Sequence, residues 1–578
     1  MSYQERYERW LASSALSPQE KAELEAIAND PKEIEDRFFS MLEFGTAGLR
    51  GVMGLGLRRM NVHVIRHATQ AFAQVILAEG PEASSKGVAI CYDCRINSAQ
   101  FAQEAACVMA ANGIPVRLFD AMHPTPELSF AVREYGCIAG LNVTASHNPP
   151  EYNGYKVYWS DGAQLPPHHA AAIAKVMEEI DVFDGVKTMD YQTALDQGLI
   201  TLIGKETDDK FLAHVLGQIN DKASVAKVAD TFRMVYTPFH GTGYQQIPYV
   251  LGELGIKHLH CVPEQMVIDG SFPTVKSPNP ETPESFELAV KLAKEVDADF
   301  ILGSDPDADR VAVQVKDKDG QYVQISGNQT GVLLLDYLIG AKKRAGTMPP
   351  NPVALKSLVT TNMARKVAEA NGLRCYDTFT GFKFMAEKKN QLEAAGEGHV
   401  IFSYEESIGY MIGDYVRDKD AVTAALLLTE MTAWYAAQDM TLLDALEVLY
   451  QKHGYHGEKT LNLVMPGLEG MANMKALMAD LRSAPPTEIA GVKVTLRRDY
   501  QDGSQVDATT GEKTTMELVG SNVLRYLLAD GTDLVIRPSG TEPKIKVYVL
   551  ATGPDSADCQ AKMDLYATWA NELQKKYR

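Results

Sequence analysis

From Asn61 onward, apolar positions alternate between stretches of helical spacing and short continuous runs. Residues 61–79 carry apolar side chains at helical spacing and stop before Gly80; residues 87–91 form a compact run suited to a buried strand. The pattern then repeats: 98–112 predicts a helix ending before Gly113, 115–119 a strand, 127–135 a helix ending before Gly136, and 137–143 a strand. Glycine just past a helical stretch supplies the left-handed residue that ends a helix. Strands alternating with helices predict an α/β layer with mostly parallel strands. Such sheets hold ligands beyond the carboxyl ends of their strands, so the segment after Val143 is the first place to look for chemistry.

The alternation restarts twice. A second α/β stretch begins near residue 205, with strands at 233–237 and 298–302; a third begins near 323, with strands at 353–359 and 400–402 and a long helix after Asp420. A last stretch holds a strand, loop and strand over 534–547 and a helix over 556–576. Residues 1–45 read as a helical extension, because Ser17 and Glu20 flank Pro18 in a capping-box pattern. The organisation expected is therefore 1–204, 205–322, 323–452 and 453–578.

Composition narrows the class. The chain has 578 residues, 45% of them apolar, which suits several globular cores. No apolar run approaches the roughly 18 residues of a membrane span, and the polar start, Met1 to Tyr7, is not a secretory signal. A net charge of −19 argues against nucleic-acid binding, so an anionic substrate needs locally concentrated positive charge. Seven cysteines, an odd number, fit reduced thiols in a cytoplasm. Cys91 and Cys94 form one C-x-x-C, for which buried inert thiols are the simpler reading and a zinc or redox pair the other.

Four stretches carry candidate chemistry. Thr144-Ala-Ser-His-Asn-Pro149 follows the strand at 137–143, which leaves the Ser146 hydroxyl exposed and able to carry a covalent intermediate; the alternative is a set of turn hydrogen bonds. Gly303-Ser-Asp-Pro-Asp-Ala-Asp-Arg310 follows a buried strand. In extended backbone Asp305, Asp307 and Asp309 would point one way, and three hard carboxylates suit Mg²⁺. Phe402-Ser-Tyr-Glu-Glu-Ser-Ile-Gly-Tyr410 sets Glu405 and Ser407 on one side of an extended chain, oxygens suited to sugar hydroxyls; a helix N-cap is the alternative for Glu406. In the 534–547 stretch, Arg537, Ser539, Gly540 and Thr541 supply a guanidinium, two hydroxyls and close backbone, a set suited to a phosphate dianion. Weaker candidates are Arg50 in a glycine-rich turn and Lys156, ten residues past Ser146 and equally readable as a solvated lysine. Two more are the loop Phe239-His-Gly-Thr-Gly243, as an anion cradle or a plain turn, and Lys419 near a helix start.

The four motifs, in this order from about Phe44 to Val547, resemble the α-D-phosphohexomutase superfamily of phosphoglucomutases and phosphomannomutases. The resemblance implies four domains around a central cleft, three similar mixed α/β domains and a C-terminal α+β domain. It implies that Ser146 bears a phosphoryl group and that Asp305, Asp307 and Asp309, with Ser146, bind Mg²⁺ beside Arg310. It implies that Glu405 and Ser407 read the sugar, that Arg537, Ser539, Gly540 and Thr541 clamp the non-reacting phosphate, and that Arg50, His147, Lys156, Lys383 and Lys419 supply positive charge or carry protons. The implied activity is interconversion of glucose 1-phosphate and glucose 6-phosphate through glucose 1,6-bisphosphate, with sugar phosphates as the only partners. Tyr410 stands where many bacterial relatives place a histidine, which leaves pentose and mannose phosphates open as substrates. A Mg²⁺ phosphatase or a non-catalytic sugar-phosphate sensor are the readings from other classes.

Overall fold

The computed structural model describes residues 1–45, 48–465, 469–539 and 543–577. Backbone contacts divide it into two compact units, Met1–Ser326 with Ser407–Asp439, and Gly327–Glu406 with Met440–Arg578.

The first unit opens with helices Tyr3–Ala12, Pro18–Ala26 and Pro31–Phe38. The expected capping box closes: the Ser17 hydroxyl accepts from the Glu20 amide, and the Glu20 carboxylate accepts from the Ser17 amide. A six-stranded sheet follows, built from β1 (Leu49–Val52), β2 (Val88–Tyr92), β3 (Val116–Phe119), β4 (Ala139–Val143), β5 (Tyr152–Trp159) and β6 (Ile200–Ile203), in the order β1-β5-β4-β2-β3-β6. β4, β2, β3 and β6 run parallel, as the alternation predicts; β5 turns back antiparallel to β4, and β1 antiparallel to β5. Val88 and Ile90 of β2 pack with helices Val62–Ala78 and Ser98–Ala111, while Ala89 and Cys91 pack with Thr125–Glu134. With both faces covered, period-2 alternation vanishes and the strand reads as a continuous apolar run.

The second sheet of this unit has β7 (Arg233–Thr237), β8 (His258–Cys261), β9 (Phe300–Ser304), β10 (Val311–Lys316) and β11 (Tyr322–Ile325), in the order β11-β10-β9-β7-β8. β7, β8 and β9 are parallel; β10 and β11 are added antiparallel. Helix Ala421–Ala436 packs on helix Gly243–Leu254 here. Its N-cap Asp420 accepts from the Val422 and Thr423 amides, which fixes the helix start just after Lys419.

The second unit holds a parallel trio, β12 (Pro352–Ser357), β13 (Arg374–Thr378) and β14 (His399–Glu405), with β12 in the middle. It also holds an antiparallel sheet running Tyr455–Val464, Lys544–Gly553, Asp533–Pro538, Leu524–Leu528, Val492–Asp499, Ser504–Asp507, Lys513–Thr515, with helix Ser556–Lys575 packed on its first two strands. Arg525 ties the two sheets together. It donates to Asp533 Oδ2 at 2.6 Å within its own sheet and reaches Asp377 Oδ2, on β13, at 3.5 Å. Three α/β sheets and one antiparallel sheet with a packed helix make up the fold expected. Among the described residues, no helix is long and apolar enough to cross a membrane.

Candidate active site

β4 and β9 end where the chemistry gathers. Ser146 lies three residues past Val143, in left-handed backbone (φ 54°), and its amide donates to Thr144 Oγ1 at 2.9 Å. A non-glycine residue in that region is uncommon and needs its surroundings to hold it there. The serine was expected to be exposed; it is only 3% exposed. The aspartate loop covers it, and the Ser146 hydroxyl donates to Asp305 Oδ2 at 2.9 Å. His147 Nδ1 lies 3.1 Å from the same hydroxyl oxygen.

The aspartates converge, but not by extended alternation. Residues 305–309 form a turn, closed by the Ala308 amide donating to the Asp305 carbonyl at 2.9 Å, with Ala308 left-handed (φ 51°). The turn brings oxygens of Asp305, Asp307 and Asp309 within 4.8 Å of one another, all buried. Gly241 explains part of this packing: a Cβ there would meet Pro306 Cα at 2.4 Å. The loop 239–243 therefore works as a packing turn beneath the aspartates, its Thr242 amide donating to the Pro306 carbonyl at 2.8 Å.

Both lysines join this cluster. Lys156 Nζ stands 2.6 Å from Asp307 Oδ2 and 3.1 Å from Asp309 Oδ2; Lys419 Nζ stands 3.3 Å from Asp309 Oδ2 and 2.9 Å from Asp418 Oδ1. Lys156 is not a solvated strand lysine, since it is buried. Burial disfavours every charge here, and the partners decide which survive. For both lysines the carboxylates outweigh burial and raise the ammonium pKa above its ordinary value. Asp309, despite burial, is held well below the carboxylate range by Lys156, Lys419 and Arg310. Asp305 goes the other way, pushed up by burial and by its two carboxylate neighbours. Burial, then the charges of Arg310 and Arg50, lower His147 to about 3, so its imidazole is neutral. Arg310 donates to the Ser407 carbonyl at 3.0 Å, and Arg50 to Asn148 Oδ1 at 3.0 Å.

The residues present fit a hard dication. Every donor in the triplet is a carboxylate oxygen, and Asp307 Oδ1 is buried with no hydrogen-bond partner among the described residues. A buried carboxylate oxygen without a partner is costly unless a cation meets it.

Most of the other candidates lie in the second unit; Ser407 begins the segment that belongs to the first. Glu405 accepts from the Gly381 amide, at the start of helix Phe382–Ala394, which carries Lys383. Burial lowers Lys383 to about 8. Residues 406–408 form a turn, with Ile408 left-handed (φ 55°), rather than the extended chain expected. No helix starts there; Glu406 accepts instead from Ser357 Oγ and Thr360 Oγ1, each at 3.0 Å. Arg537 lies on strand Asp533–Pro538 opposite Lys546, and the Ser539 amide donates to the Lys544 carbonyl at 2.8 Å. Gly540 and Thr541 fall outside the described residues.

Two residues of the first unit escaped the sequence reading. Thr125, first in its helix, donates its hydroxyl to Asp307 Oδ2 at 2.7 Å and its amide to the Asp307 carbonyl at 2.8 Å. Arg95 donates to the backbone carbonyls of Ser146 (2.6 Å), Pro149 (2.9 Å) and Tyr152 (3.0 Å), and also to that of Asn148. The only signal was position: each sits just beyond a strand end, on the side where ligands bind.

A buried serine, three converging carboxylates and two ammonium groups beyond two α/β sheets are the equipment of an enzyme. Known proteins specify its class. Models of the phosphoglucomutase/phosphomannomutase alpha/beta/alpha domains I, II and III match residues 41–183, 209–320 and 326–453, and the C-terminal domain model matches 462–566. The phosphoglucomutase of Staphylococcus aureus (strain N315) is 35% identical over 534 residues, covering 92% of this chain and 94% of its own; that of strain MSSA476 is 36% identical over 519 residues, covering 89% and 91%. In fold, the chain is similar to the open form of Paramecium parafusin, a phosphoglucomutase (TM-score 0.68, 18% identity, 93% of this chain and 95% of that one). It is also similar to a phosphoglucomutase/phosphomannomutase family protein from Burkholderia thailandensis (TM-score 0.64, 20% identity, 93% and 97%). The chain belongs to the phosphoglucomutase/phosphomannomutase family, isomerases of the α-D-phosphohexomutase superfamily.

Proposed function

We propose that the protein interconverts glucose 1-phosphate and glucose 6-phosphate in the cytoplasm, with Ser146 as the phosphoryl carrier. The observation that carries the assignment of the carrier is the Ser146 hydroxyl, 2.9 Å from Asp305 in a buried cluster that also holds two lysines. In the first half-reaction the bond from Ser146 Oγ to phosphorus breaks, a bond from the sugar's free hydroxyl oxygen forms, and the hydroxyl proton is passed to Oγ. The second half-reaction runs the exchange in reverse at the other end of glucose 1,6-bisphosphate: that sugar oxygen–phosphorus bond breaks, the bond from phosphorus to Ser146 Oγ forms, and the serine proton passes to the freed sugar oxygen. Asp305, Asp307 and Asp309, with Ser146, would hold Mg²⁺, which offsets the negative charge of the transferring phosphoryl. Lys156 and Lys419, kept protonated by their carboxylates, donate protons and stabilise charge. Neutral His147 can take the serine proton when the carrier is recharged. Glu405 and Ser407 read the sugar near Lys383, and Arg537 with Ser539, Gly540 and Thr541 grips the phosphate that does not react, with Arg310 and Arg50 adding positive charge. We assign the domains as 1–204, 205–322, 323–452 and 453–578.

The test compares turnover of glucose 1-phosphate, ribose 1-phosphate and mannose 1-phosphate, each with its bisphosphate supplied, alongside intact-mass analysis of the protein. Preferred turnover of glucose 1-phosphate with a phosphoryl adduct on Ser146 is expected. Preference for ribose or mannose 1-phosphate would replace the substrate; an adduct elsewhere would replace the carrier.

A further inference from the structure

Behind the aspartate loop lies a second cluster of side chains of metal-ligating type. Its members come from three segments of the first unit: His123 in the loop after β3, Glu127 on helix Thr125–Glu134, and Asp208 on helix Lys205–Leu216. One nitrogen or oxygen from each lies within 4.8 Å of the other two. Glu127 is 0% exposed; Gln246 of helix Gly243–Leu254 donates to its Oε2, while its Oε1 meets no fixed donor among the described residues and the Asp208 carboxyl group is within hydrogen-bonding reach of Glu127.

The imidazole is already oriented. His123 Nδ1 is 2.8 Å from the Ala121 carbonyl, which can only accept, so Nδ1 carries the hydrogen. In the neutral ring the Nε2 lone pair then faces Asp208 Oδ1 at 2.9 Å, acceptor against acceptor. Glu127 also faces the Asp208 carboxylate within hydrogen-bonding reach, a second close approach of acceptors. Two arrangements can reconcile these acceptors: protons on Glu127 and on His123 Nε2, both directed at Asp208, or one dication that meets all three side chains at once. A histidine whose far nitrogen donates to a carbonyl is also the usual arrangement around a bound metal.

We propose that His123, Glu127 and Asp208 form a second metal site, distinct from the aspartate triplet, for a transition-metal dication such as Zn²⁺. The imidazole nitrogen favours such an ion over Mg²⁺, which prefers oxygen. Asp208, whose side chain is 29% exposed, leaves one side open to a water ligand. The ion would staple helix Thr125–Glu134, whose first residue holds Asp307, to helix Lys205–Leu216.

The test uses full-length protein stripped with chelator, reloaded with Zn²⁺ in excess Mg²⁺, and desalted. Elemental analysis is expected to find one zinc per chain in wild type and close to none in Glu127→Gln or His123→Gln. Wild-type crystals measured at the zinc absorption edge are expected to show an anomalous peak among the three side chains, a result that stands even if a variant fails to fold. A zinc-free wild type, full retention by both folded variants, or a peak only at Asp305, Asp307 and Asp309 would overturn the proposal.

Discussion

Replacing Lys156 by methionine separates the lysine's electrostatic role from its chemical one. The side chain keeps most of its length, one atom short, and loses its charge, so two buried carboxylates lose the ammonium at 2.6 Å and 3.1 Å. At an effective dielectric of about 20, the gross attraction is about 6 kcal/mol for the first pair and about 5 kcal/mol for the second. Desolvation offsets most of that, and breaking a buried pair on one side typically costs about 3–5 kcal/mol. Against a total stability of about 5–15 kcal/mol, the urea midpoint of the variant in chelator should fall markedly. A dication at the aspartates takes over the missing positive charge, so Mg²⁺ should raise the variant's midpoint more than that of wild type. Turnover should still drop by about 10²–10⁴-fold, because a proton donor has gone. Equilibrium unfolding with and without Mg²⁺, beside steady-state kinetics, measures all three effects. An unchanged midpoint in chelator, or equal stabilisation of both proteins by Mg²⁺, would refute the charge-balance argument; near-normal turnover would refute the proton role.

Ser146→Ala should abolish mutase turnover and the phosphoryl adduct seen by intact mass. Thr125→Val removes a hydrogen bond to a buried charge, worth about 1.5–3 kcal/mol; the Mg²⁺ concentration for half-maximal activity should rise by about one to two decades. Arg537→Ala should raise KM about ten- to a hundredfold in both reaction directions, with serine phosphorylation intact. His147 resists protonation in the fold (about 3) but accepts a proton near 6.5 once unfolded. Its neutral form therefore supports stability fully above about 6.5, and that support is lost as pH falls toward 3; His147→Gln should show a smaller acid-side loss in pH-dependent unfolding.

The strands and helices around Ser146 were legible because burial on both sheet faces writes continuous apolar runs, and glycine punctuates the helices between them. The aspartate triplet was legible from its spacing, yet the way it converges was not. The turn depends on Ala308 in left-handed backbone and on Gly241 clearing Pro306, contacts no local pattern announces. Thr125 stayed hidden because its partner, Asp307, is 182 positions away. The exposure of Ser146 was misread for the same reason: what covers it arrives from a distant strand. Nor does chain order reveal that residues 407–439 pack with the first unit.

Arg95 has an evolutionary consequence. Its guanidinium holds the serine loop by carbonyl oxygens of residues 146, 148, 149 and 152, groups that every amino acid supplies. The loop's shape is thus encoded largely outside the loop. Side chains along 149–152 are free to drift, or to be selected for new substrates, without loosening the serine, provided the main-chain acceptors stay in place. Arg95 carries the constraint for all of them, and lysine cannot inherit it, since a single ammonium lacks the planar fork that spans several carbonyls. A deep mutational scan would accordingly find a permissive stretch at the heart of the enzyme, underwritten by one intolerant arginine about fifty positions upstream.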